Sequence, residues 1–235
     1  TEMRDILALN ARFERFLLVL NVGGVVDLSP LGDVANILLL SQLGATVVAC
    51  SDSGGYVVDE AGLDLYLVKQ LKEVERGRIS VYADRRDSAR FVAEGSIWDV
   101  ACDVALPCAT QNELDDRHAA KLVENGVVAV AEGANMPCTP GAVAVFQQAG
   151  TLFGPGKAAN AGGVATSALE MQQNACRDTW DFEYTEERLH QIMVDVHSRC
   201  AETADEYGDP GNYVLGANVA GFTKVADAVI AMGVV

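Results

Sequence analysis

The chain has 235 residues, of which 50% are hydrophobic and 21% are charged. It can therefore bury the core of one large domain or two small ones, which excludes a disordered protein and a small disulfide-stapled one. Seventeen basic and 33 acidic residues give a net charge of −16, and such a surplus repels the phosphates of nucleic acids and anionic lipids. We expect neither nucleic acid nor a membrane surface as a partner.

Targeting and metal-binding signals are weak in this sequence. The longest apolar run, Phe16 to Val26, contains Asn21 and is about half as long as a membrane span, and no signal-peptide pattern is found. Six cysteines occur without a Cys-x-x-Cys pair, so we expect them to be reduced. The closest histidine pair, His190 and His197, has no third ligand nearby. These features predict a cytoplasmic protein without a metal site.

Strand-like and helix-like segments alternate along the chain, which is typical of a parallel sheet covered by helices. The first predicted strand, Phe16–Val22, is apolar throughout, as expected for a strand buried on both faces. Ser29 can cap a helix over Leu31–Leu43, and a second strand is predicted over Thr46–Cys50. The next predicted elements are helix Leu63–Arg76, strand Asp103–Leu106, helix Leu114–Glu124, strand Val127–Ala131, helix Pro140–Gln148 and strand Thr151–Phe153.

The pattern becomes helical from Gly163 onward. Apolar side chains at intervals of three and four predict amphipathic helices. Three are expected, from Gly163 to Arg177, from Thr185 to Tyr207 and from Gly216 to Met232. The alternation and this helical part together predict a doubly wound α/β fold, with a mainly parallel sheet and three C-terminal helices.

Parallel sheets bind ligands at the carboxyl ends of their strands. The segment before the first predicted helix partly matches the Gly-x-Gly-x-x-Gly/Ala fingerprint of dinucleotide sites. Gly32 and Ala35 fit the fingerprint, and Asp52 follows at the distance expected of a ribose contact. Pro30 and Asp33 do not fit, because proline lacks an N–H and the aspartate adds negative charge beside the phosphates. A modified nucleotide loop and an ordinary strand-to-helix connection account for this segment equally well.

The segment after the second strand is also polar. A carboxylate at Asp52 would accept hydrogen bonds from an adenine ribose and favour NAD. Ser53 together with Lys72, Arg76 or Arg78 would instead favour the additional phosphate of NADP. A polar turn with solvated basic side chains accounts for the same residues, so these alternatives stay open.

Three further segments rich in small and polar residues follow successive strands. They are PCATQN from Pro107, EGANMP from Glu132 and GKAANAGG from Gly156. Asn and Gln in loops are usually turn formers. Three such segments at three successive strand ends nevertheless favour a site where amide groups hold a nicotinamide and its ribose.

Longer motifs extend these segments: PCATQNE at Pro107–Glu113, AEGANMP at Ala131–Pro137, PGKAANAGG at Pro155–Gly163, EMQQN at Glu170–Asn174 and GANVAGFTKVAD at Gly216–Asp227. In these motifs the sequence resembles the coenzyme-binding domain of bacterial hexameric glutamate dehydrogenases, most closely the NADP-dependent kind. The resemblance runs from about Gly44 to Val235, whereas residues 1–43 diverge from the family.

The resemblance implies a Rossmann-like fold and an oxidoreductase that converts L-glutamate, NADP and water into 2-oxoglutarate, ammonia and NADPH, with NAD as the less favoured coenzyme. The residues that it implies are Ser53 and Lys72 at the 2′-phosphate, Ala109, Thr110 and Asn135 around the nicotinamide ribose, Asn160 at the nicotinamide or substrate, and Val164 and Ser167 at the substrate's side chain.

The resemblance also implies a single dinucleotide-binding domain over residues 1–235, with residues 163–235 as its helical C-terminal part. Family members carry their catalytic lysine, proton-handling aspartate and carboxylate-binding lysine on a separate N-terminal domain, which we expect this chain to lack. No catalytic residue is identified, and Lys157 is the nearest candidate. The alternatives to an active enzyme are a non-catalytic nucleotide-binding module and a structural fragment. The oligomeric state stays open, a homo-oligomer included.

Overall fold

The structure is a computed structural model, and it describes the backbone of residues 16–19 and the whole of residues 46–233. Within these residues, seven strands form one sheet in the order β4-β3-β2-β1-β5-β6-β7. The strands are β1 Phe16–Val19, β2 Val47–Asp52, β3 Gly55–Val58, β4 Arg90–Val92, β5 Val104–Pro107, β6 Ala129–Ala131 and β7 Leu152–Gly154.

The middle of the sheet is parallel. Strand β1 pairs in parallel with β2 on one side and with β5 on the other, and β5 pairs in parallel with β6. The strand order therefore reverses between β1 and β5, and in open α/β sheets ligands bind outside the carboxyl ends of the strands at such a reversal. The register pairs Val19 with Pro107, so the carboxyl ends of β1 and β5 lie side by side.

One edge of the sheet is antiparallel. Strand β2 pairs with β3 through a register of Asp52 with Gly55, so Ser53 and Gly54 form a two-residue turn. Gly55 has φ +137°, and a Cβ there would lie 2.4 Å from the Val92 carbonyl oxygen in β4, so only glycine fits. Strands β3 and β4 were not predicted from the sequence, because their pairing with β2 and with each other, rather than a local pattern, makes them strands.

Helices cover the sheet in this part of the chain. They are α1 Leu65–Lys69, a π-helical turn Gln70–Val74, α2 Ser80–Arg85, a 3₁₀ turn Ile97–Asp99, α3 Asp116–Glu124 and α4 Pro140–Ala149. The predicted helix Leu63–Arg76 is thus α1 followed by a π-turn, in which the Glu75 N–H donates to the Gln70 carbonyl at 2.9 Å. π-Turns of this kind occur often at functional sites.

The core lies between the sheet and these helices. Val57, Leu71 and Tyr82 are fully buried in one cluster with residues of β2 and α1. The Tyr82 hydroxyl accepts a hydrogen bond from the Asp64 N–H at 2.7 Å, which satisfies a buried polar group. Phe146 of α4 is also fully buried, and α4 packs on α3.

The chain divides into two compact units after Leu152. The second unit contains α5 Gly156–Ala159, α6 Ala161–Cys176, α7 Phe182–Glu206 and α8 Tyr213–Met232. The three predicted C-terminal helices are therefore present as α6 to α8. The single dinucleotide-binding domain over residues 1–235 stays a prediction.

Helix α8 is, by length and composition alone, long and apolar enough to cross a membrane. One such helix is weak evidence, because core helices of soluble proteins pass the same test. Lys224 and Asp227 lie near its middle, and charged side chains at that depth are unfavourable in a bilayer.

The predicted elements agree with the structure in their order, and their ends differ by a few residues. Phe16–Val22 is observed as Phe16–Val19, and the remaining strands begin or end one or two residues away from the predicted bounds. The predicted helix Leu31–Leu43 lies outside the described residues. The doubly wound, Rossmann-like and mainly parallel fold is confirmed.

Gly216 in α8 is a position where two helices approach closely. A Cβ at this residue would lie 2.0 Å from the Cys200 carbonyl oxygen of α7, whereas a Cβ at Gly221 in the same helix would meet nothing within 4 Å. We predict that Gly216→Ala lowers the free energy of unfolding by about 1–3 kcal/mol through overpacking.

Gly221→Ala is the matched control, and it should raise that free energy by up to about 1 kcal/mol because alanine favours a helix. Urea unfolding of both variants measures the difference. Equal effects of the two substitutions would contradict the close approach of α7 and α8.

Candidate functional site

Polar segments meet at one edge of the sheet. Strands β2, β1, β5 and β6 run parallel, so the residues that follow β2, β5 and β6 all emerge at the carboxyl edge. These segments are the turn after Asp52, the loop after Pro107 and the loop after Ala131. They form the candidate coenzyme site of the first unit, and the strand reversal lies in their midst.

Asp52 ends β2 and forms a buried ion pair with Lys72. The Lys72 Nζ lies 2.8 Å from the Asp52 Oδ2, and the two side chains are only 4% and 1% exposed. The same carboxylate accepts hydrogen bonds from the Gly54 N–H at 2.8 Å and the Ile79 N–H at 2.9 Å. Lys72 also donates to the Gly77 carbonyl at 3.0 Å. The polar atoms of both side chains are therefore engaged within the protein.

The charges of this pair follow from its surroundings. Burial raises the pKa of Asp52, but hydrogen bonds from Lys72, Ile79 and Gly54 more than offset it, so the pKa is lowered. Burial, together with the negative charge of Asp52, raises the pKa of the neighbouring Cys50 thiol to about 12. Asp52 is thus ionised at neutral pH while Cys50 is a neutral core residue.

Ser53 and Arg78 lie together on the exposed side of the same turn. The Arg78 Nη1 donates to the Ser53 Oγ at 2.5 Å, and both residues are exposed. The backbone of Ile79, next to Arg78, is held by Asp52. The buried Asp52 carboxylate therefore connects the β2–β3 turn to the segment that carries Arg78.

The loops after β5 and β6 are hydrogen-bonded to each other. The Pro107 carbonyl accepts from the Gly133 N–H at 3.0 Å, and the Asn112 N–H donates to the Met136 carbonyl at 2.9 Å. Asn112 and Met136 both have positive φ, 56° and 53°, which marks strained turns common at functional sites. A Cβ at Gly133 would lie 2.3 Å from the Cys108 Sγ, so the loops can approach this closely only with glycine there.

Two carboxylates stabilise these loops from within. The Glu113 Oε1 accepts from the Ala109 N–H at 2.9 Å, and the buried Glu132 Oε1 accepts from the Cys138 N–H at 3.1 Å. Burial raises the pKa of Glu113 to about 7, although hydrogen bonds from the amides of Ala109 and Thr110 lower it. Each loop is therefore closed by its own acidic side chain.

The second unit carries the other predicted residues. Asn160 lies between α5 and α6, and Val164 and Ser167 lie on exposed positions of α6. The Ser167 hydroxyl donates to the Gly163 carbonyl at 3.3 Å. Lys157 of α5 donates to the Asn218 Oδ1 of α8, so this lysine is tied to the helical part of its own unit.

The structure brings Asp52, Ser53 and Lys72 together at one turn, and Ala109, Thr110 and Asn135 within two docked loops. Asn160, Val164 and Ser167 lie in the second unit, while Gly32 and Ala35 lie outside the described residues. The coenzyme and substrate roles of all these residues stay predictions. The loop-closing roles of Glu113 and Glu132 were not predicted from the sequence, in which their only signal is an acidic residue beside each polar loop.

Metal binding has no structural support in the part of the chain that the structure describes. Among residues 46–233, no cluster of three or more His, Cys, Asp or Glu side chains is arranged to hold a metal ion.

Comparisons with known proteins agree with this geometry. The family model of the glutamate/leucine/phenylalanine/valine dehydrogenases matches residues 21–233. The chain belongs to this family. It is 51% identical over 216 residues to the NADP-specific glutamate dehydrogenase of Escherichia coli, covering 89% of this chain and 48% of that protein. It is 49% identical over 218 residues to the glutamate dehydrogenase of Bacteroides thetaiotaomicron, covering 91% and 49%.

A solved structure gives the same result. The glutamate dehydrogenase of Plasmodium falciparum superposes with a TM-score of 0.89 at 36% identity, over 100% of this chain and 49% of that one. The chain thus spans about half the length of the dehydrogenases that it matches.

The Asp52–Lys72 pair generates a stability prediction. Lys72→Met leaves a buried carboxylate without its cation, so the free energy of unfolding at neutral pH should fall by about 3 kcal/mol or more. The deficit should shrink as the pH falls, because the unpaired Asp52 has a raised pKa and takes up a proton in the folded state. Urea unfolding at several pH values measures this.

Lys69→Met is the matched control, since Lys69 lies 3.8 Å from Glu73 on the surface of the same helical segment. Such an exposed pair contributes at most about 0.5 kcal/mol. A loss for Lys72→Met no larger than this would contradict the burial of the pair.

The close approach of Gly133 to Cys108 generates a second prediction. Gly133→Ala should separate the two loops and lower the free energy of unfolding by about 1–3 kcal/mol. Adding Cys108→Ala removes the Sγ and leaves only a Cβ at 3.3 Å, so the double variant should recover most of the loss. A double-mutant cycle measured by urea unfolding gives the coupling, and additive effects would refute the contact.

Proposed function

We propose that this chain provides the coenzyme-binding part of a glutamate dehydrogenase that uses NADP to interconvert L-glutamate with 2-oxoglutarate and ammonia. One observation carries this proposal: three polar segments, each held by internal hydrogen bonds, lie along the carboxyl edge of a sheet whose strand order reverses there. The names of the relatives support the reaction, since the Escherichia coli protein is described as an NADP-specific glutamate dehydrogenase.

The turn after β2 supports NADP over NAD. The Asp52 carboxylate is 1% exposed and bonded to Lys72, so it is poorly placed to accept hydrogen bonds from a ribose. Ser53 and Arg78 are exposed and adjacent, and a hydroxyl beside a guanidinium suits a phosphate monoester. We assign the 2′-phosphate to Ser53 and Arg78, with the buried Lys72 holding Asp52 and the turn in place.

The chemistry of the donor set fits the remainder of the coenzyme. Bound NADP would supply a nicotinamide that accepts or donates hydride. The docked loops after β5 and β6 present Thr110 and Asn135 at exposed positions, where hydroxyl and amide groups can orient the nicotinamide ribose. Asn160 would act at the nicotinamide or substrate, and Val164 and Ser167 would contact the substrate's side chain.

A non-catalytic nucleotide-binding module is the second candidate function. The chain spans about half the length of its relatives, and among the described residues we assign no group to acid–base catalysis. General acid–base groups contribute about 10²–10⁴-fold in rate. We therefore expect the chain by itself to bind coenzyme with little turnover. Its composition supports a cytoplasmic location, and a homo-oligomer is compatible with the proposal.

Calorimetry tests the coenzyme assignment. The chain should bind NADP more tightly than NAD, and Arg78→Gln should weaken NADP binding about tenfold while leaving NAD binding unchanged, since only NADP carries the 2′-phosphate. Arg117→Gln removes the same charge from an exposed position on α3 and should change neither affinity.

Equal weakening of both coenzymes by Arg78→Gln would contradict the 2′-phosphate assignment, and no binding of either coenzyme would contradict the proposed function. Absorbance at about 340 nm, with 2-oxoglutarate, ammonia and NADPH, separates the enzyme from the module. Robust turnover would show that the chain contains an acid–base group, with Lys157 the first residue to replace.

A further inference from the structure

The Glu113 side chain turns back onto its own loop. Its Oε1 accepts a hydrogen bond from the Ala109 N–H at 2.9 Å, and the Thr110 N–H also bonds to this carboxyl group. Both amides begin the loop after β5, which is one of the three segments at the carboxyl edge. The carboxyl group thus closes a short ring of backbone that contains Gln111 and Asn112.

The backbone around Glu113 is fixed independently of its side chain. The Trp98 Nε1 donates to the Glu113 carbonyl at 3.3 Å, and the Leu114 N–H donates to the Pro137 carbonyl at 3.0 Å. Asn112 is held by Met136 in the neighbouring loop. Residues 112–114 are therefore anchored at several points by other groups, whereas the amides of Ala109 and Thr110 donate to the Glu113 carboxyl group.

The surroundings of Glu113 favour its neutral form. Burial raises its pKa to about 7, and the two amide hydrogen bonds offset this only in part. The titratable groups on the adjoining loop are Cys138 and Glu132. Burial raises the pKa of the Cys138 thiol, and the carboxyl groups of Glu132 and Glu113 raise it further. The thiol therefore stays neutral and adds no negative charge beside Glu113.

We propose that Glu113 is a positioning residue for the coenzyme: its carboxyl group holds the amides of Ala109 and Thr110, and its protonation loosens that hold. An ionised carboxylate accepts N–H hydrogen bonds more strongly than a neutral carboxyl group. The loop is thus held most firmly when Glu113 is ionised. The identity of the ligand rests on the proposed function, whereas the titration of the loop does not.

The direction of the pH dependence follows. Glu113 becomes ionised as the pH rises through about 7, and the ionised carboxylate holds the loop. Coenzyme affinity should therefore rise about three- to tenfold as the pH increases through this value. Because the folded pKa of about 7 is above the ordinary value of 4.5, the stability contributed by Glu113 is fully present below the lower value and is lost as the pH rises from the lower value to the higher one. Firmer loop geometry therefore accompanies lower global stability.

Nuclear magnetic resonance of the full ¹⁵N-labelled chain tests the hold on the amides. The amide signals of Ala109 and Thr110 should titrate with a midpoint near pH 7, and Glu113→Gln should abolish this step, because its amide side chain has the same shape and does not ionise. Glu124→Gln is the control: Glu124 pairs with Lys121 on the surface of α3, and its replacement should leave the step unchanged. Amides that do not titrate in the unmodified chain would overturn the inference.

Calorimetry with NADP at about pH 6 and about pH 8 tests the positioning role. Glu113→Gln should bind at both pH values as the unmodified chain does at the lower one, whereas Glu124→Gln should keep the pH dependence. Coenzyme binding that is present but indifferent to Glu113→Gln would overturn the inference alone. Amide titration without any coenzyme binding would overturn the proposed function and leave the hold of Glu113 on its loop intact.

Discussion

The parallel pairing of β1 with both β2 and β5 is the constraint on which the rest of the first unit depends. Because β1 has neighbours on both sides, the chain extends the sheet in two directions from one point. The carboxyl ends of β2, β5 and β6 consequently lie along the same edge. Segments separated by about 80 positions in the chain, from Asp52 to Glu132, thereby lie along one edge of the sheet without any sequence motif that joins them.

Carboxylates that are wholly or partly buried stabilise the backbone at this edge. Asp52 accepts the amides of Gly54 and Ile79, Glu113 accepts that of Ala109, and Glu132 accepts that of Cys138. A buried carboxyl group satisfies an otherwise unpaired N–H, and it tolerates burial only where such donors surround it. Some of the excess acidic residues of this chain thus stabilise loops by accepting hydrogen bonds from backbone amides. Asp52 is in addition paired with the buried Lys72.

Two of these acids, Asp52 and Glu113, differ in their electrostatics, and this difference separates their roles. The lysine and two backbone amides keep Asp52 ionised, so the turn after β2 is insensitive to pH near neutrality. At Glu113 burial dominates and the amide donors offset it only in part, so its pKa is raised to about 7. At the proposed adenine-ribose end of the site, Asp52 therefore stays ionised near neutral pH. At the proposed nicotinamide end, Glu113 changes its protonation state in this pH region.

The sequence by itself determined the alternation of strands and helices, the three C-terminal helices and the polar loops, because apolar periodicity and small-residue turns are local properties. The motifs from PCATQNE onward also indicated the family. Only the tertiary structure decided that Lys72 is buried against Asp52, that Arg78 lies beside Ser53, and that Glu113 caps its own loop. Burial and ion pairing depend on which segments lie close together in the folded protein. Local sequence patterns do not reveal the spatial distance between segments that are far apart in the chain. The antiparallel strands β3 and β4 escaped prediction for the same reason, since pairing of β3 with β2 and of β4 with β3, rather than a local pattern, makes them strands.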